Sequence, residues 1–134
     1  MNEHTIYLGG GCFWGLQGYI KKIEGVLSTE VGYANGPTEN PSYEDVCHNS
    51  GHVEALKVTY DADTLSLDHL IQYFLRAIDP FSVNKQGGDV GIQYRTGIYY
   101  TDTADKSIIE STLARAQTFE GKPFAIEVLP LENY

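Results

Sequence analysis

A single cysteine stands after three glycines and before two large aromatics in Gly9-Gly10-Gly11-Cys12-Phe13-Trp14-Gly15. The apolar stretch Ile6-Tyr7-Leu8 runs into this segment. Phe13, Leu16, Ile20 and Ile23 recur at near-helical spacing, which predicts a helix over about 12–23. Glycine-rich turns let a backbone bend sharply and come close to other atoms. A thiol at a helix N-terminus lies at the positive end of the helix dipole, which favours the thiolate. Cys12 is therefore a candidate nucleophile beside an apolar wall of Phe13 and Trp14. The competing reading is a buried structural cysteine in a tight strand-to-helix turn.

A second candidate is a carboxylate in an apolar phase. The alternating segment 53–60 predicts a strand, with Glu54 in step with Leu56, Val58 and Tyr60. Glu54 thus opens the more apolar face, next to a long loop. Burial disfavours a charged carboxylate, so its pKa would rise and it would hold a proton near neutrality, as a general acid must. The alternative is a solvated glutamate at a strand end.

The elements that must position these groups follow in order. A strand is expected at 4–9, then the helix at 12–23, stopped by Gly25. A strand follows at 26–34 with Leu27, Thr29, Val31 and Tyr33 on one side. The loop over 35–52 is rich in Gly, Pro, Asn and Ser, and long ordered loops in compact domains are usually functional. After the strand at 53–60, Ser66 can cap a helix over 67–78 with Pro80 just beyond it. A polar loop covers 81–95, and a strand 97–101. Asp102 or Thr103 can cap a last helix to about 119, with Ile108, Ile109, Leu113 and Ala116 inward, and 125–129 is the last strand. This order predicts a single α+β domain over residues 1–134, a ferredoxin-like two-layer sandwich with long active-site loops near one edge.

Composition narrows the class of partner. Nine basic against eighteen acidic residues give a formal charge of −9, which argues against nucleic acid or an anionic membrane. No apolar run is long enough to span a bilayer, and Met1-Asn2-Glu3-His4 does not begin like a signal peptide. Two cysteines do not make a disulfide scaffold. Thiol chemistry in a reducing, cytoplasmic compartment is the expectation.

Gly11-Cys12-Phe13-Trp14-Gly15 resembles the signature of A-class peptide methionine sulfoxide reductases, which act on the S epimer. The resemblance continues through Ser28–Ala34, Asn40–Cys47, Gly51–Ala55 and Gln86–Thr96, and so covers most of the chain. It implies that Cys12 attacks the sulfoxide sulfur and that Phe13 and Trp14 hold the substrate methyl group. It implies that Tyr43, Glu54 and Tyr94 bind the sulfoxide oxygen and that Asp89 helps fix the substrate. A sulfoxide oxygen leaves poorly until protonated, so a neutral carboxyl and two phenols suit it. Cys12 would be left as a sulfenic acid.

No cofactor is implied beyond an external thiol reductant of thioredoxin or glutaredoxin type. Substrates would be oxidised proteins, peptides or free methionine sulfoxide, and the expected state is a monomer. Many family members carry resolving cysteines in a C-terminal tail, and this sequence has none there. Cys47 is then the candidate resolving thiol, provided its Cα lies within about 7 Å of that of Cys12. Direct attack of the external thiol on the sulfenic acid, using one cysteine of this chain, is the favoured route, and a chain that is one piece of a longer protein is the third possibility. Other readings are a cysteine hydrolase with His48 or His52 as base, a sulfoxide-binding module without turnover, and a zinc site that draws on both cysteines and two histidines, Cys47, His48 and His52 with Cys12. The last matches no standard spacing, so no metal is expected.

Overall fold

The computed structural model describes residues 2–11, 13–34, 53–78, 85–86, 89–90, 95–120, 125–131 and 134. In chain order these form β1 (Glu3–Gly9), α1 (Phe13–Ile20), β2 (Val26–Ala34), β3 (Val53–Asp61) and α2 (Leu67–Ala77). The short β4 (Lys85–Gln86) and β5 (Asp89–Val90) come next, followed by β6 (Gly97–Tyr100), α3 (Thr103–Glu120) and β7 (Glu127–Pro130).

The main sheet has the order β2-β3-β1-β6-β7. The pairs β2–β3, β3–β1 and β1–β6 are antiparallel. Together with the helices α1 and α2 they give the ferredoxin-like arrangement expected from the sequence. The unit β6-α3-β7 then adds a parallel fifth strand through a crossover helix.

Period-2 alternation sends Ile6 and Leu8 of β1, Leu56, Val58 and Tyr60 of β3, and Ile98 and Tyr100 of β6 to one face. All three helices cover that face. Leu16 and Ile20 come from α1, Leu67, Leu70, Ile71 and Phe74 from α2, and Ile109 from α3. Ser66 caps α2, its Oγ accepting from the His69 N–H at 3.2 Å, and Asp102 Oδ1 accepts from the Ala104 N–H at 2.9 Å to cap α3. Asp68 clasps α2 to α3, accepting from Thr112 Oγ1 and from the Arg115 guanidinium.

The opposite face carries a smaller cluster of Tyr7, Ala34, Val53, Ala55 and Tyr99, with Leu131 and Tyr134 packed on it. The Tyr134 ring stacks on Tyr7 at 4.9 Å between centroids, and its hydroxyl donates to the Glu30 carbonyl at 2.8 Å. Gly32 lies directly beneath: a Cβ there would stand 2.6 Å from Tyr134 Cζ.

Several expectations need correction. The first helix ends at Ile20 rather than near 23, although Ile23 still packs on the core from the turn that follows. A bulge between Val26 and Ser28 breaks the alternation of β2, so Leu27 leaves the expected side and is exposed. Ile108 is 42% exposed, not inward. The buried stripe of α3 runs through Asp105, Ile109 and Thr112 at i, i+4 and i+7, and Ile108 falls off it. The polar loop read over 81–95 contains the two-residue pairing of β4 with β5.

Overpacking at Gly32 generates one prediction. Gly32→Ala should lower unfolding stability by about 1–3 kcal/mol. In a Tyr134→Ala background the same change should cost far less, and denaturant titration of the four proteins measures the difference.

The carboxyls of α2 and α3 generate another. The Thr112 hydrogen bond, with help from Arg115, lowers the Asp68 pKa below the ordinary 3.8, so its contribution is lost as pH falls through the folded value. Desolvation, reinforced by Asp102 and opposed by His4, raises that of Asp105, so its contribution is present at low pH and lost as pH rises through the folded value. Melting temperatures between about pH 3 and 7 should therefore diverge: relative to the parent, Asp105→Asn gains and Asp68→Asn loses as pH rises.

Candidate active site

The central strands β3, β1 and β6 end side by side. Gly9, the last residue of β1, pairs with Ala55 on one side and Gly97 on the other. A Cβ on Gly9 would meet Val53 Cγ2 at 3.0 Å, with the carbonyl oxygens of Glu54 and Arg95 at 3.3 and 3.4 Å, so glycine suits the close packing here. The chain then turns through Gly10 and Gly11, both buried, and Gly11 takes the left-handed φ of 73°. The helix α1 begins at Phe13, two residues beyond Gly11. Gly10 is equally constrained, since a Cβ there would meet Ile78 Cγ2 at 2.5 Å and Phe74 Cε1 at 3.5 Å. The C-terminal end of α2 thus presses against the turn.

Glu54 immediately precedes Ala55 on β3, and Thr96 immediately precedes Gly97 on β6. Both flank the point where β1 turns toward α1. Glu54 is 3% exposed and pairs across strands with Tyr33. It shares its phase with Leu56, Val58 and Tyr60, whose side chains lie on the helix-covered face. The carboxyl is therefore on the side of the sheet where α1 starts, and it is buried rather than solvated. Trp14 is 62% exposed.

Asp89 lies in β5, paired in register with Gln86. Phe13 is the first residue of α1. Cys12, Tyr43, Cys47 and Tyr94 lie outside the described residues, as do His48 and His52. Among the described residues, no cluster of three His, Cys, Asp or Glu side chains is arranged to hold a metal ion. A cavity of about 210 Å³ lined by His69, Gln72, Tyr73 and Arg76 lies on the outer side of α2.

One cluster at this end of the sheet is not visible in the sequence. Arg95 Nε contacts Glu127 Oε2 at 3.1 Å, and the Tyr99 hydroxyl donates to the same oxygen at 2.8 Å. Their separations of 32 and 28 residues give no spacing signal. Only the parallel pairing of β6 with β7, which sets Gly97 opposite Glu127, brings them together.

Residues 4–134 match the peptide methionine sulfoxide reductase family. A peptide methionine sulfoxide reductase MsrA of Lachnoclostridium phytofermentans is 55% identical over 135 residues, covering 100% of this chain and 81% of the relative. One of the same description from Clostridium perfringens is 52% identical over 130 residues, covering 96% of this chain and 83% of the relative. Among solved structures, Mxr1 from Saccharomyces cerevisiae in reduced form superposes with a TM-score of 0.91 at 32% identity, covering 98% of this chain and 78% of that one.

The packed glycine turn generates a prediction of its own. Gly10→Ala should force Ile78 and the turn apart, costing about 1–3 kcal/mol. Adding Ile78→Ala should recover part of that loss, and thermal or denaturant unfolding of the single and double variants measures it.

Proposed function

The chain belongs to the peptide methionine sulfoxide reductase family and reduces methionine sulfoxide, and we propose that it acts on the S epimer, free or in peptides, through the thiolate of Cys12. The observation that carries the residue assignment is Glu54: a 3% exposed carboxyl on the helix-covered face, level with the turn that leads into α1. Removal from water favours the protonated carboxyl, so Glu54 serves as the proton donor to the sulfoxide oxygen. Tyr43 and Tyr94 are the further donors to that oxygen. Donors aimed where charge develops stabilise the transition state. Phe13 and Trp14 hold the S-methyl group, and Asp89 helps to fix the substrate.

The step balances. The Cys12 sulfur attacks the sulfoxide sulfur, the oxygen accepts a proton and passes to cysteine, and methionine leaves. The substrate sulfur gains two electrons and the cysteine sulfur loses two, giving a sulfenic acid. Two thiols then restore the cysteine, forming a disulfide and water. Cys47 supplies one of them, or an external dithiol supplies both. Mxr1 has also been solved in complex with Trx2, which supports a thioredoxin-type protein as the external reductant. Such turnover suits a reducing compartment such as the cytoplasm.

The test is reduction of methionine-S-sulfoxide with dithiothreitol. The S epimer should be converted and the R epimer left. Cys12→Ser should abolish conversion, and Glu54→Gln should slow it by about 10²–10⁴-fold. Turnover by the Cys12→Ser protein, or preference for the R epimer, would overturn the reading. Mass measurement after one turnover without reductant separates a sulfenic acid from an internal Cys12–Cys47 disulfide.

A further inference from the structure

We infer that Arg95 is a positioning residue for this reaction, held in place by Glu127 and Tyr99 on the sheet face opposite Glu54. The inference rests on the reading of Tyr94, the residue before Arg95, as a donor to the sulfoxide oxygen. Two donors converge on one carboxylate oxygen. Arg95 Nε reaches Glu127 Oε2 at 3.1 Å, and the Tyr99 hydroxyl donates to it at 2.8 Å. That hydroxyl passes directly over Gly97, where any Cβ would block it. The Glu127 N–H also donates to the Thr96 carbonyl at 2.9 Å, so the entry to β6 is gripped by main chain and side chains together.

The strand phase gives the clasp its effect. Arg95, Gly97 and Tyr99 lie in one phase of the chain, and Tyr99 belongs to the cluster on the face away from the helices. Thr96 and Ile98 lie in the other phase, and Ile98 is in the helix-covered core. The clasp therefore holds the strand from behind. It leaves the helix-covered side at this strand end to the groups that meet substrate. Burial, reinforced by Glu127, pushes the Tyr99 hydroxyl far above its ordinary pKa, so it remains a donor at any working pH. A charged acceptor with two donors is stronger and more directional than a neutral pair. Misplacement of a catalytic group by about 1 Å costs up to about 10²-fold in rate, which is the penalty such a clasp prevents.

The test is a double-variant cycle on the full chain, reading the single-turnover rate of methionine formation from methionine-S-sulfoxide. Arg95→Lys keeps the charge and loses the planar fork. It should slow the step by about tenfold. In a Tyr94→Phe background the same change should alter the rate by less than about twofold, because the group it positions is already gone. A purely structural role would give losses that multiply in the two backgrounds, and that result would overturn the inference while leaving the Tyr94 assignment intact. A Tyr94→Phe protein as fast as the parent would instead overturn the assignment, and the inference with it. Thermal melts confirm that each variant folds. Where Arg95→Lys does not fold, Glu127→Gln, which keeps an acceptor for both donors and removes the charge, runs the same cycle with the same two overturning outcomes.

Discussion

Three backbones meet at Gly9 with no side chain between them. Ala55 and Gly97 flank it in register, and the carbonyl oxygens of Glu54 and Arg95 approach to within 3.4 Å of where a Cβ would be. The next glycine fits against Ile78 at the end of α2, and Gly11 turns the chain with a positive φ. The turn that leads into α1 is thus shaped by what is missing from Gly9, Gly10 and Gly11.

The sheet separates two tasks by its faces. The helix-covered side excludes water from Glu54. The reverse side carries polar anchors: the Arg95–Glu127–Tyr99 clasp, and the Tyr134 hydroxyl on the Glu30 carbonyl. Alternation in β3 and β6 assigns each residue to its side, so adjacent residues do different work. Glu54 faces the helices while Val53 and Ala55 pack behind. Thr96 and Arg95 are likewise in opposite phase.

Away from this end, polar groups tie the helices to one another. Asp68 joins α2 to α3 through Thr112 and Arg115, and Asp102 caps the start of α3. Asp105 sits on the buried stripe of α3, where its carboxyl is desolvated beside Tyr60, whose own hydroxyl is pushed up to about 12 by burial and by Asp105. The helical layer thus combines a clasp that favours an ionised carboxylate, at Asp68, with a buried position that disfavours one, at Asp105.

Local pattern carried much of this in the sequence. Period and capping located every strand of the main sheet and all three helices, because apolar phase and caps such as Ser66 act within a few residues. They placed Glu54 on the apolar face of its strand. The glycine-cysteine-aromatic motif and its companions pointed to the family, whose match spans residues 4–134. What remained hidden depends on pairing between distant segments. The bulge at Leu27 follows from the register of β2 on β3, and the exposure of Ile108 from where Asp105, Ile109 and Thr112 meet the core. The clasp of Arg95 with Glu127 exists only because β7 lies parallel to β6, a neighbour relation that no local spacing encodes. Sequence alone determined residue types, phases and turns; tertiary structure decided which backbones touch, because contact across a sheet is set by register over the whole chain.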